Sequence, residues 1–250
     1  SYEFKKIDLD SDEFWFFFNK ITNEYKYIDA LLNRSNLNWW KEIYSSNNWL
    51  LEDKTFCLLS SQEPYFIFMG FLMIKDELKK LHLFSRPCFG IETAELNSKK
   101  RKNINSAMSE LISENKVSFS INSSKNNHLN PYFYEFLLKN KLFKIENSFS
   151  KQILINQSEE KLWSGLRTSY KSLINWGLRE LNIDVYTKNN INLDIVESFR
   201  KLHFEEAGRA TRTRESWLLQ LEAVLKDVAF IVTAKSEGEL GSAGYFIINN

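Results

Sequence analysis

A chain of 250 residues, 43% hydrophobic and 26% charged, has enough apolar content for an ordinary core and is no disordered polymer. Its length fits one large domain or two small ones. A formal net charge of +1 excludes a whole-molecule field for nucleic acid or membrane, so any basic site is local.

Two cysteines, Cys57 and Cys88, are too few for a disulfide scaffold and fit a reducing compartment. Residues 2–13 are charged throughout and do not read as a signal peptide. The longest apolar run, 65–74, falls far short of the roughly 20 residues that span a bilayer. A soluble, cytoplasmic protein without a transmembrane segment is expected.

Residues 1–50 read as two helices. Asp10, Ser11 and Asp12 form an N-cap cluster, and Phe14, Phe17, Phe18 and Ile21 follow at helical spacing. Asn36 or Asn38 is the expected cap of a second segment carrying Trp39, Trp40, Ile43 and Tyr44, read as core aromatics and aliphatics. Strands follow at 55–60, 65–74 and 81–89, the last broken by Pro87. The middle strand is nearly all apolar, so burial on both faces is expected. Short connections predict an antiparallel meander.

A helix over 97–115 turns Ala107, Met108, Leu111 and Ile112 inward. Its basic first turn, 99–102, opposes the helix dipole; it is either solvated or meets an anion. A strand at 116–121, a short helix at 132–139 opened by Pro131, and a hairpin of 142–145 and 149–155 complete the series.

The order α-α-β-β-β-α-β-α-β-β resembles GNAT-type N-acetyltransferases. That resemblance implies an α+β fold over 1–156, with a mixed, mainly antiparallel sheet flanked by helices. GNAT proteins typically bind the acyl-CoA pyrophosphate at a Gly-rich loop and helix N-terminus. The corresponding junction, Phe89-Gly90-Ile91-Glu92-Thr93-Ala94-Glu95, has one glycine, and Glu92 and Glu95 repel phosphate. This lobe is therefore expected to be structural or substrate-side, without the usual CoA loop.

After a polar connector, Ser158, Glu159 and Glu160 start a helix. Leu162, Leu166, Ser169, Leu173 and Trp176 recur at helical spacing and predict one buried stripe. Arg167 and Lys171 share a different face. The helix distorts or ends near Gly177, and 183–186 reads as a strand. Another helix, 193–207, is stopped by Gly208.

On that helix Ile195, Val196, Phe199, Leu202 and His203 fall together, with Glu206 in the same sector. A carboxylate buried there without a partner is costly. Glu206 therefore either reaches water from a frayed turn or meets an arginine or a substrate amine. His203 reads as a hydrogen-bonded core residue or as a proton carrier. Arg209, Arg212 and Arg214 follow in a short polar segment. They clamp a phosphate or carboxylate through bidentate contacts, or they form surface ion pairs with Glu205, Glu206 and Glu215. Thr213 caps a last helix whose apolar face holds Trp217, Leu218, Leu221, Val224, Leu225 and Val228. Strands at 229–234 and 242–248 flank a Gly-rich turn.

The runs LWSGLRTSYKSLINWGLRELNI, FRKLHFEEAGRATRTRESW and AFIVTAKSEGELGSAGYFII resemble the FemAB-type tandem GNAT proteins, bacterial transferases and relatives with two GNAT-like lobes. The resemblance covers 159–248 by motif and 1–156 by element order. It implies a second, incomplete GNAT-like lobe over 157–250, since a complete lobe continues with another core strand, a phosphate-facing helix and further strands. Either the sequence is a fragment or another chain completes the lobe, so an oligomer or partner is expected over its open face.

The implied activity is acyl or aminoacyl transfer to an amine of a cell-envelope precursor or nucleotide-linked sugar. The donor would be acyl-CoA or aminoacyl-tRNA. Arg167, Lys171, Arg209, Arg212 and Arg214 would hold an anionic substrate, and Glu206 or His203 would accept the proton. No metal is implied. Two alternatives remain: a non-catalytic binding or assembly module, and tRNA binding through Tyr170, Trp176, Arg167 and Lys171. The near-zero net charge counts against the latter.

Overall fold

A computed structural model describes residues 2–25, 29, 31–115 and 156–248, together with the backbone of 121–123. The chain divides into two compact units, 1–145 and 146–250. The expected helix at 132–139, the hairpin strands at 142–145 and 149–155, and 116–120 of the strand before them lie outside the described residues.

Unit 1 runs β1 (Tyr2–Lys6), α1 (Asp12–Thr22), α2 (Arg34–Ser46), β2 (Leu50–Asp53), β3 (Phe56–Ser60), β4 (Glu63–Met69), β5 (Phe71–Lys75), β6 (Leu78–His82), β7 (Cys88–Glu92), α3 (Ser98–Asn115) and β8 (Ile121–Ser123). A five-stranded sheet has the order β1-β3-β4-β7-β8, and a three-stranded sheet the order β2-β5-β6. The pairs of the five-stranded sheet are antiparallel except β7 with β8, which are parallel and joined through α3. A parallel pair needs such a crossover because the chain must return to the same end of the sheet.

Local signals set the ends of these helices. Ser11 caps α1 by accepting the Phe14 N–H, and Phe14, Phe17, Phe18 and Ile21 are buried. The cap of α2 is Asn33, which accepts from the Asn36 N–H; this corrects the expectation of Asn36 or Asn38. Asn36 lies inside the first turn, buried, and donates to the Leu31 carbonyl. Strand β1, absent from the expected order, is a half-exposed edge strand with a lysine pair at its end, a composition that discourages edge-to-edge pairing.

The apolar run 65–74 is two strands, not one. It divides at Gly70 into β4, in the larger sheet, and β5, in the smaller. A Cβ on residue 70 would lie 2.6 Å from Cys88 Sγ, so only glycine fits where the chain passes between sheets. Burial on both faces does occur, through the period-two alternation of a strand. Cys57, Leu59, Ile67 and Met69 join a core with α1. Phe56, Leu58, Phe66 and Phe68 join a second core with Ile104, Met108 and Leu111 of α3. Each such side chain contributes about 1.5–3 kcal/mol of hydrophobic stabilisation.

Unit 2 runs α4 (Glu159–Ser164), α5 (Thr168–Glu180), β9 (Asn182–Tyr186), α6 (Leu193–Ala207), α7 (Arg214–Leu225), β10 (Ala229–Ser236) and β11 (Glu239–Ile247). Its sheet, β11-β10-β9, is antiparallel throughout. From β9 the order strand, helix, helix, strand, strand matches β1, α1, α2, β3 and β4 of unit 1, apart from the short β2. In both, the first strand pairs with the next long strand after the helices.

The stripe expected from Leu162 to Trp176 is not buried. Its periodicity runs across a break: Gly165 ends α4, and Arg167 caps α5. No residue of α5 is buried, and Leu173 and Trp176 remain 63% and 50% exposed. The described fold is thus mixed α+β, with mainly antiparallel sheets flanked by helices.

Candidate functional site

The candidate residues sit around α6, α7 and the turn between them. Asn192 caps α6 by accepting the Ile195 N–H, and Gly208 ends it in the left-handed conformation at φ 65°, where a Cβ would be strained. Thr213 then accepts the Ser216 N–H and starts α7. These two stop and start signals hold 208–213 as a short turn. The core beneath it gathers Val196, Trp217, Val224 and Ile231.

Trp217 organises this end of the unit. It is buried, and the rings of Phe199 and His203 meet it edge-on at 5.1 and 5.4 Å. The Arg212 guanidinium carbon lies 3.6 Å from the Trp217 ring centroid, close enough for cation–π attraction and stacking. Burial lowers the Arg212 pKa to about 10, which leaves it charged at neutral pH. His203 Nδ1 lies 3.4 Å from Thr211 Oγ1. The turn is therefore folded back onto α6 through Thr211 and His203 and onto α7 through Arg212 and Trp217.

The other predicted residues are not drawn into that cluster. Arg214 Nε donates to Glu197 Oε1 at 2.8 Å, and Arg200 Nε donates to Glu197 Oε2 at 2.6 Å. Glu197 is held below the usual carboxylate range, first by the Arg200 hydrogen bond and then by that of Arg214. For Arg214, the surface pairing expected with Glu205, Glu206 or Glu215 is made by Glu197 instead; Glu205 pairs with Lys201. Arg209 and Glu206 are exposed.

Arg167 is exposed at the start of α5, where its carbonyl accepts from Tyr170 and Lys171. Lys171 Nζ donates to the Ser164 carbonyl at 3.3 Å, placing a cation at the C-terminal end of α4. Sequence reasoning missed Glu197 and the organising role of Trp217. Glu197 has a weak local signal in its spacing to Arg200, but its pairing with Arg214 needs two helices brought together. Among the described residues no group of three or more His, Cys, Asp or Glu side chains is placed to hold a metal. No described helix is long and apolar enough to cross a membrane.

No family model and no curated protein matches the sequence. Among solved structures, the crystal structure of FemX superposes with a TM-score of 0.52 at 13% identity, covering 94% of this chain and 58% of that chain. The fold is FemX-like. At 13% identity the likeness concerns fold alone, and this chain spans 58% of the length of the FemX chain. The FemX-like fold brings Arg212 and His203 together on Trp217 and leaves Arg167, Arg209 and Glu206 facing solvent.

Proposed function

We propose that this chain belongs to an acyl- or aminoacyl-transferase built from tandem GNAT-like lobes, 1–156 and 157–250, acting on an amine of a cell-envelope precursor or nucleotide-linked sugar. The observation that carries this reading is the FemX-like fold across 94% of the chain. The repeated strand-helix-helix-strand-strand order and the parallel β7–α3–β8 crossover support the tandem GNAT-like part. The donor is an aminoacyl-tRNA or acyl-CoA, and the setting is cytoplasmic.

In this reading the acceptor amine attacks the carbonyl carbon of the donor ester or thioester. A tetrahedral intermediate forms, the C–O or C–S bond breaks, and the amine proton leaves. Positioning and charge stabilisation lower the barrier. Glu206 is the better placed of the two proton acceptors because its carboxylate is exposed, whereas His203 is packed against Trp217. Arg209 leads the anion-holding residues, followed by Arg167. Lys171, Arg212 and Arg214 already contact protein groups and serve chiefly to shape the surface. The exposed Ile183, Val185 and Phe246 of the unit 2 sheet support the expectation that further protein, from the same or another chain, packs there.

The test is calorimetric titration with a nucleotide sugar, followed by transfer assays with charged tRNA or acyl-CoA. Losing one charge-assisted contact, worth about 1.5–3 kcal/mol, weakens binding roughly tenfold or more in Arg209→Ala, with an unchanged melting temperature. The Arg209→Ala/Arg212→Ala pair loses binding and transfer together. Unaltered affinity in both variants removes the assignment.

A second reading, a non-catalytic binding or assembly module, is favoured by the engagement of Arg212 and Arg214 with protein partners. Thermal-shift measurements with acetyl-CoA, a nucleotide sugar and uncharged tRNA separate the two. Silence towards all three selects the module.

A further inference from the structure

The turn between β7 and α3 is the place in unit 1 where general physics puts an anion. It follows the carboxyl end of a strand in a parallel pair and opens a helix of 18 residues. Ligands gather at such crevices, and the first amides of a helix point outward with the positive end of its dipole. A cavity of about 500 Å³ adjoins the turn, lined by Thr93, Ala94, Glu95 and Lys100 with Glu24 and Glu63.

Protein groups already engage this turn. The Ala94 N–H donates to a Glu24 carboxylate oxygen at 2.9 Å, across 70 residues of sequence. The Thr93 N–H donates to the Tyr65 carbonyl at 3.1 Å. Asn97 Oδ1 accepts from the Lys99 and Lys100 N–H groups at 3.1 and 2.9 Å. The two nearby lysines lie over aromatic faces: Lys99 is 4.4 Å from the Tyr2 ring, and Lys100, at the cavity wall, is 5.3 Å from the Tyr65 ring.

Glu24 is held in register by its neighbour. Tyr25, buried just beyond the end of α1, donates its hydroxyl to the Glu92 carbonyl at 2.5 Å. That bond ties the exit of α1 to the last residue of β7, two positions before the amide that Glu24 accepts.

We propose that Glu24 is a built-in anion: its carboxylate fills the seat that the β7–α3 turn offers to phosphate and closes this crevice of unit 1 to phosphorylated ligands. Repulsion from the carboxylate and loss of a free Ala94 amide act in the same direction. Any phosphate carried by the donor or acceptor of the proposed transfer is then held away from this turn. The contact itself does not depend on that reading of function.

The experiment is an amide-resolved NMR titration of the full chain with inorganic pyrophosphate. It compares the wild type with Glu24→Gln, Glu24→Ala and Glu24→Lys, each first checked for native melting. Glu24→Gln keeps an acceptor for the Ala94 amide without the charge, so it separates charge from hydrogen bonding. The wild-type Ala94 amide is expected not to move. It moves saturably in Glu24→Ala, and about tenfold lower pyrophosphate suffices in Glu24→Lys, with Glu24→Gln between wild type and Glu24→Ala. A saturable Ala94 shift in the wild type overturns the proposal, as does its absence in both Glu24→Ala and Glu24→Lys. Signals around Arg209 report separately on unit 2, so failure of the functional reading is distinguishable from failure of this one.

Discussion

The two units share an order of elements and differ in what covers their sheets. In unit 1, neighbouring residues of β3 and β4 enter different cores, one with α1 and one with α3, so both faces are closed. In unit 2, Ala229, Ile231 and Thr233 of β10 are buried on one face. On the other, Val185 lies opposite Val232, Ile183 opposite Ala234 and Phe246 opposite Phe230. There Ile183, Val185 and Phe246 remain 42%, 51% and 47% exposed. Equivalent topology therefore does not imply equivalent burial. The second layer decides whether a strand's apolar residues form core or a surface available to other protein.

Paired truncations give the largest expected contrast. Phe66→Ala, at a fully buried site, should cost about 3–5 kcal/mol in urea unfolding. Val185→Ala should cost no more than about 0.5 kcal/mol. Comparable losses would break the contrast by showing that the outer face of unit 2 is covered in solution.

A smaller effect tests what holds the turn of unit 2. Arg212→Ala should cost about 1–2 kcal/mol through lost stacking and packing on Trp217. Arg212→Lys should recover only part of it, since an ammonium has no planar face to stack. Chemical denaturation checks both. Wild-type stability in Arg212→Ala would return this residue to the ligand-holding set.

The smallest effect is one of pH. Burial raises the Tyr25 hydroxyl of unit 1 and the Tyr245 hydroxyl of unit 2 from an ordinary value of 10.0 to about 12 each; a nearby Glu92 adds to the shift at Tyr25. A raised folded pKa means that the unfolded chain loses its proton first. Each contribution is therefore complete below pH 10 and disappears as pH climbs through about 12. Melting curves across that window should lose part of their pH dependence in Tyr25→Phe and another part in Tyr245→Phe. An identical slope in both variants and the wild type would refute the linkage.

Several features of the fold and of the site are legible without coordinates because the groups involved are close in sequence. Ser11 and Thr213 each accept an amide three residues on, and Gly208 supplies a positive φ just beyond its helix. The apolar face of α6, with Val196 and Phe199 inward, follows from helical spacing. The same arithmetic misleads from Leu162 to Trp176, because a break at Gly165 divides the helix and no described residue of α5 becomes buried.

By itself, then, the sequence determined the caps at Ser11 and Thr213, the stop at Gly208 and the α+β character of the chain. Those depend on hydrogen bonds and side-chain periodicity within a few residues. Tertiary structure alone decided that 65–74 serves two sheets, that Arg212 lies on Trp217 while Arg214 pairs with Glu197, and that Glu24 reaches the amide of Ala94. Each of these brings together groups on different elements or divides one run between two sheets. Their energies come from proximity that local propensity does not encode.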